Sequence, residues 1–210
     1  VSEPAMHPST EYLRRLRLLG LRLRTDQRGV AATEFVVILP LMLLMLLATV
    51  EITSGIAADR KVTLVARTLS DLVSQASSVT DSDMKNVFAA SYGVLTPYQA
   101  NSARATITQI YVDKNKIAKV LWSKSGSVTQ SGSSASASLA ASPHGAGDTI
   151  SIPDGLKVPD TFLIFSEFSY PYQPAVAYLL PKAGVTLSDT SYTRPRQTKC
   201  VSYPQAAACP

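Results

Sequence analysis

From Phe35 to Val50 the chain reads FVVILPLMLLMLLATV, an uncharged run interrupted only by Pro40 and Thr49. Counted from Val30, the stretch is about 21 residues, or about 31 Å as a helix, enough to cross a bilayer core. The uncharged part alone covers about 24 Å, which places Glu34 near one interface rather than at mid-membrane. Proline would break a soluble helix, but a membrane helix tolerates it with a local kink. A cleaved secretory signal peptide is the usual alternative for an apolar run near an N-terminus. Here the core is too long, and no small-x-small site follows it before Glu51.

Beyond the run the pattern becomes amphipathic. Ile52, Ile56, Val62, Val65, Leu69, Leu72, Val73 and Ala76 recur close to helical spacing, with Asp59, Arg60, Arg67, Ser70 and Asp71 mostly between them. One long helix is predicted, apolar all round first and amphipathic afterwards, with Gly55 its weak point. A second helix is signalled by Thr80-Asp81-Ser82-Asp83, whose oxygens cap free amides and whose acids suit the helix dipole. It should run through MKNVFAASYGVL and stop before Pro97.

The period then shifts to two. Ala105–Val112 and Ile117–Trp122 read as paired strands around Asp113-Lys114-Asn115. Thr161–Tyr172 is strongly strand-forming and aromatic, and a last strand is expected near Val185–Arg194. Between them, residues 123–148 are rich in Ser, Ala and Gly without apolar periodicity, which predicts a flexible excursion. Tyr170, Tyr172 and Tyr178 form either an exposed adhesive face or a packed sheet rim. Helices first and strands afterwards point to an α+β fold, with the amphipathic part of the long helix packed on a small antiparallel sheet. The division expected is residues 1–29 as a basic leader, 30–50 as a membrane helix and 51–210 as an exported head.

Charge fixes the orientation. Arg14, Arg15, Arg17, Arg22, Arg24 and Arg28 all precede the run, and cationic flanks of a first span are retained in the cytoplasm. The head is therefore expected outside, on the periplasmic side of an inner membrane. YLRRLRLLGLRLR also suits a short helix lying on the inner membrane surface. The net charge is +5, of which the leader holds +3, so basicity says little about an anionic partner for the head. No nucleic-acid motif accompanies the arginines, and no nucleic-acid partner is expected.

The cysteines are Cys200 and Cys209. An even pair in a segment facing an oxidising compartment reads as a disulfide, two unpaired thiols being the alternative. The histidines are His7 and His144, too few for a metal site. A hydrolase using Ser, His and an acid would have to rely on His144, which sits in SPHGAGD, a poor platform for preorganised catalysis. Without a phosphate loop, paired catalytic carboxylates or a ligand cluster, the chain is expected not to be an enzyme and to carry no cofactor.

The remaining feature is Arg28-Gly29-Val30-Ala31-Ala32-Thr33-Glu34-Phe35. A glycine closes the arginine-rich leader, and a lone carboxylate sits five residues on, at the mouth of the apolar run. An acid is costly there, so it invites a functional reading. The segment RTDQRGVAATEFVVILPLMLLMLLATVE resembles the TadE/TadG-like proteins of the tight-adherence (Flp-type, type IVc) pilus apparatus. The parts that carry the resemblance are Arg28-Gly29, Ala31, Glu34-Phe35, Pro40 and the closing Glu51. Weaker echoes lie in Asp81–Leu95 before Pro97, in SEFSYPYQP and in YTRPR. The short TadE-like form is the closer match, since a large inserted von Willebrand-type domain has no room.

That resemblance implies a pilin-like fold and a minor pilin or pseudopilin cut by a prepilin peptidase between Gly29 and Val30. It also implies that Glu34 pairs with the new terminal amine of a neighbouring subunit during assembly, where a pair is favoured over isolated buried charges. The implied partners are the peptidase, sibling pilin subunits, the Tad inner-membrane assembly platform and the membrane itself. The implied setting is a single-pass inner-membrane protein incorporated into a surface pilus used for adhesion. The rival reading is a plain single-pass membrane protein with an exported binding head, in which Glu34 is a tolerated interfacial acid and the N-terminus stays uncut.

Overall fold

The apolar run and the amphipathic stretch behind it fold as one element. In the computed structural model, helix α1 spans Arg28–Ser74 with Pro40 inside it. The structure describes residues 28–101, 103–131, 134–174, 184–204, 206 and 209. The expected surface helix over residues 12–24, the arginines before Arg28 and Tyr178 lie outside those residues. The chain divides into two units, residues 1–50 and 51–210.

In the first unit, every described side chain from Gly29 to Val50 is exposed. Val37 and Leu44 are as open as Phe35 and Leu47 on the other sides of the helix, so this is no amphipathic surface. A helix apolar all round belongs in lipid or among other helices. Its length and hydropathy suffice to cross a membrane. Two hydroxyls within it are satisfied locally, Thr33 donating to the Val30 carbonyl and Thr49 to the Met45 carbonyl, each at 2.8 Å.

The second unit begins where α1 acquires a buried face. Ala58, Val62, Val65, Ala66, Leu69 and Val73 are buried, at helical spacing, and they belong to one core cluster with Ala105, Ile107, Ile164, Phe168 and Tyr170. Those partners come from the inner face of a five-stranded antiparallel sheet, in order β3-β2-β1-β4-β5. Its strands are β1 Arg104–Val112, β2 Ala118–Ser131, β3 Ser134–Ala140, β4 Thr161–Tyr172 and β5 Val185–Thr193. Polar groups at this interface are paired. The buried Ser166 hydroxyl donates to the Ala66 carbonyl at 2.5 Å, and Ser70 bonds Ser191 at 3.1 Å.

Helix α2 (Asp81–Tyr92) packs on the same face, over β2 and β3. It opens with a reciprocal cap. The Thr80 hydroxyl accepts the Asp83 amide at 3.3 Å, while the Asp83 carboxylate accepts the Thr80 amide at 2.9 Å and its hydroxyl at 2.7 Å. Those bonds from Thr80 hold the Asp83 carboxyl below the usual range. A 3-10 turn (Gly93–Leu95) closes the helix. Lys61 then ties that turn to α1, donating to the carbonyls of Val94 at 3.0 Å and Thr96 at 2.5 Å.

The α+β class and the helix-on-sheet packing are as expected from the sequence. The Ser/Ala/Gly-rich stretch is not. Instead of a flexible excursion, most of the described residues of 123–148 form strands: β2 runs on from Trp122 to Ser131, and β3 pairs back along it from Ser134 to Ala140. The reason is clearance. Gly126 lies directly beneath the Phe88 ring of α2, where an added Cβ would come within 2.3 Å of it. Small side chains let α2 approach, and Val128 and Leu139 supply the apolar contacts. Residues 141–148 continue in bonded turns, with Gly147 donating to the Val120 carbonyl at 2.8 Å and Val120 to the Asp148 carbonyl at 2.9 Å. The tyrosine alternatives also resolve: Tyr170 and Tyr172 are buried against the core, a packed rim rather than an open face.

After β5 the chain returns across the end of α1. Arg196 donates its amide to the Ser74 carbonyl at 2.9 Å and pairs with Asp71 through its guanidinium. Ser202 bonds Ser77 and Val79 at 3.1 and 3.0 Å. The Val201 carbonyl accepts the Trp122 indole N–H at 3.0 Å.

Candidate functional site

Gly29 and Val30 stand in the first turn of α1, with Glu34 and Phe35 one turn on. A Cβ placed on Gly29 would meet nothing within 4 Å, and its φ is not among the positive values of the chain. Neither packing among the described residues nor backbone conformation requires glycine there, although glycine costs about 1 kcal/mol against alanine inside a helix. Glu34 is exposed, and among the described residues it has no hydrogen-bond or ion-pair partner. It borders a shallow depression of about 330 Å³ with Thr33, Val37 and Ile38. The carboxylate thus stands on an apolar helix surface with nothing among the described residues to neutralise it. Such a group is expensive in a membrane unless a partner arrives from outside.

Cys200 and Cys209 are joined by a disulfide with Cα atoms 6.1 Å apart. The bridge closes a loop within the C-terminal segment, next to the point where Val201 receives the Trp122 N–H. It constrains the strap that crosses the end of α1.

Gly29 to Phe35 and the cysteine bridge are far apart in sequence. A third cluster had no signal in the sequence. His144, expected in a flexible segment, sits in a bonded turn, and its Nε2 lies 2.6 Å from Glu167 Oε2 on β4. Its ring also rests near Phe165, which stacks on Tyr192 at 4.6 Å. Ser142 is adjacent, but its hydroxyl bonds the Ser123 hydroxyl at 2.5 Å and accepts the His144 amide at 3.2 Å. The imidazole is directed at the carboxylate, and the serine is directed elsewhere. No group of three or more His, Cys, Asp or Glu that could hold a metal occurs among the described residues.

Comparison with known proteins gives one result. Residues 29–70 match the family model of TadE-like proteins. No curated protein matches the chain, and no solved structure does. The matched stretch takes in Gly29, Glu34, Pro40 and Glu51, then the buried positions of α1 through Leu69. Residues 29–70 thus carry a TadE-like domain, on a helix long and apolar enough to cross a membrane.

Proposed function

We propose that the chain is a minor pilin or pseudopilin, cut by a prepilin peptidase after Gly29 and assembled with sibling subunits through Glu34. The observation that carries this reading is the pair of residues the fold does not use. Among the described residues, nothing packs where a Gly29 side chain would lie, and none partners Glu34. A peptidase acting at the cytoplasmic face needs a small residue before the scissile bond, and Gly29 offers one beside the arginine-rich leader. Cleavage would give Val30 a free amino group at the membrane edge. The Glu34 carboxylate of one subunit and the Val30 amine of another would then neutralise each other in apolar surroundings.

The arginines before the span favour a cytoplasmic N-terminus and a periplasmic head. On this reading the protein acts in assembly and in surface adhesion rather than in catalysis. The test is the intact mass and N-terminal sequence of membrane-extracted protein, with and without the peptidase. A terminus at Val30 that appears only with the peptidase is expected. A leader retained in both samples would instead favour an uncut single-pass anchor. Glu34→Leu should insert into the membrane normally yet fall out of pilus complexes, and wild-type incorporation of that variant would refute the pairing.

A further inference from the structure

The outer face of the sheet, opposite α1 and α2, changes character halfway along. Toward the Val112 end of β1, Ile110, Val112, Leu163 and Phe165 form a second apolar cluster with Ala118 and Ile152, packed by Ile150 and Leu156 of the loop before β4. Toward the Arg104 end nothing described covers the face, and its side chains are short and hydroxylic. The register sets them in rows. Ser127, Arg104, Ser169 and Ser188 lie side by side across β2, β1, β4 and β5. Ser125, Thr106, Glu167 and Thr190 form the next row.

These rows floor an open cavity of about 800 Å³, walled on one side by residues 140–143, a size within the usual range of small-molecule sites. Arg104 is exposed, and among the described residues its guanidinium has neither an ion pair nor a hydrogen bond. Glu167 is diagonal to it in the register and held by His144 at 2.6 Å. The lining hydroxyls are already oriented: Thr106 bonds Ser125 at 2.7 Å, and Ser127 bonds Ser138 at 3.1 Å.

We propose that this cavity binds a carboxylated saccharide, a uronic-acid unit within a glycan, with Arg104 taking the carboxylate and the hydroxyl rows and Glu167 taking the sugar hydroxyls. The argument is one of complementary donors. β1 and β4 are interior strands whose amides and carbonyls are spent on their neighbours, so an added strand cannot be the ligand and only side chains can recognise it. Those side chains are one unpaired cation with a planar fork of donors, one carboxylate that accepts, and hydroxyls that do both. A ring of hydroxyls bearing one carboxylate matches that set. Arg pairs with carboxylate in two parallel bonds, and the sugar hydroxyls supply donors for Glu167 to accept, which a bare sulfate lacks. Serine and threonine also lose little rotamer freedom on binding. The inference concerns the head alone and does not rest on cleavage at Gly29.

The test is calorimetric titration of the full-length protein in detergent micelles with tri-galacturonate, maltotriose and sodium sulfate as separate probes. Saturable binding of tri-galacturonate is expected, with maltotriose and sulfate each at least about tenfold weaker. Arg104→Gln should weaken tri-galacturonate by at least about tenfold, and Arg104→Lys, which keeps the charge but not the fork, by less. Arg104 is exposed, so its variants should keep the thermal midpoint of the parent, which is measured alongside. Absence of saturable binding would overturn the proposal, as would equal affinity for maltotriose or an Arg104→Gln variant that binds like the parent. Sulfate binding as tight as tri-galacturonate would reduce the site to a point charge and overturn it equally.

Discussion

Gly126→Ala should destabilise the head even though it adds a single methyl to a strand. The new Cβ would lie 2.3 Å from Phe88 Cδ2 and 2.6 Å from Cε2, whereas carbon atoms in contact prefer about 3.5–4.0 Å. The ring must therefore retreat by more than about 1 Å. Phe88 is fully buried within the main cluster, so its retreat pushes on α2 and its neighbours. Overpacking of this kind costs about 1–3 kcal/mol, and a clash this deep belongs at the upper end. Replacing glycine restores about 0.5–1 kcal/mol of chain entropy, leaving a net loss of about 2 kcal/mol. Phe88→Leu alone should also destabilise, by opening space. Combined with Gly126→Ala it should recover about 1–2 kcal/mol relative to the sum, because the smaller side chain makes room for the methyl. Trp122 is the sole tryptophan and is buried, with its N–H shared between Gln109 Oε1 and the Val201 carbonyl. Its fluorescence during urea unfolding of the full chain in micelles therefore reports the head. A Gly126→Ala midpoint indistinguishable from the parent, or a double variant whose loss equals the sum of the single losses, would refute the clearance argument for this glycine.

Two further outcomes test other parts of the head. Burial holds the Tyr92 hydroxyl well above the usual tyrosine range, so its contribution is fully present below about pH 10 and is lost as pH rises above that toward the folded value. Tyr92→Phe should flatten the alkaline fall in the unfolding midpoint, and an unchanged alkaline slope would contradict the assignment. Cys200→Ala combined with Cys209→Ala should lower unfolding free energy by about 2–3 kcal/mol in the loop-entropy estimate. A change below about 0.5 kcal/mol would mean that the strap is held by its hydrogen bonds to Trp122, Ser74 and Ser77 alone.

How much of this was legible in the chain depended on the contrast between neighbouring residues. β4 could be read to the residue, because Thr161–Tyr172 sets aromatic and aliphatic side chains against turns on both sides. The buried stripe of α1 was legible for the same reason, and so was the cap at Thr80 and Asp83. β2 beyond Trp122 and all of β3 were not. SASASLA alternates serine with alanine, and that pattern carries no apolar signal although Ala137 and Leu139 are half-buried on the α2 side. The cause lies in tertiary packing: α2 comes so close over Gly126 that no side chain fits there. The candidate site divides along the same line. Gly29 and Glu34 announce themselves by being wrong for their local surroundings. Arg104, Glu167 and His144 do not, because their juxtaposition is a product of strand register and of a turn whose His144 lies 23 residues before Glu167 in sequence.

The limits of the family match make physical sense on this structure. Residues 29–70 include the exposed apolar positions up to Val50, and then Ala58, Val62, Val65, Ala66 and Leu69, which are buried in the core. A head joined to such a helix must offer an apolar inner face and room for the helix to lie close. Ala105, Ile107, Ile164 and Phe168 meet that requirement here, and many other apolar residues of similar volume would meet it as well. The outer face is under no such demand from α1, since strand alternation points its side chains away from the helix. Substituting Arg104, Thr106 or Glu167 would leave the helix contacts untouched. That separation leaves the Arg104 end of the sheet free to change without disturbing the packing of the helix.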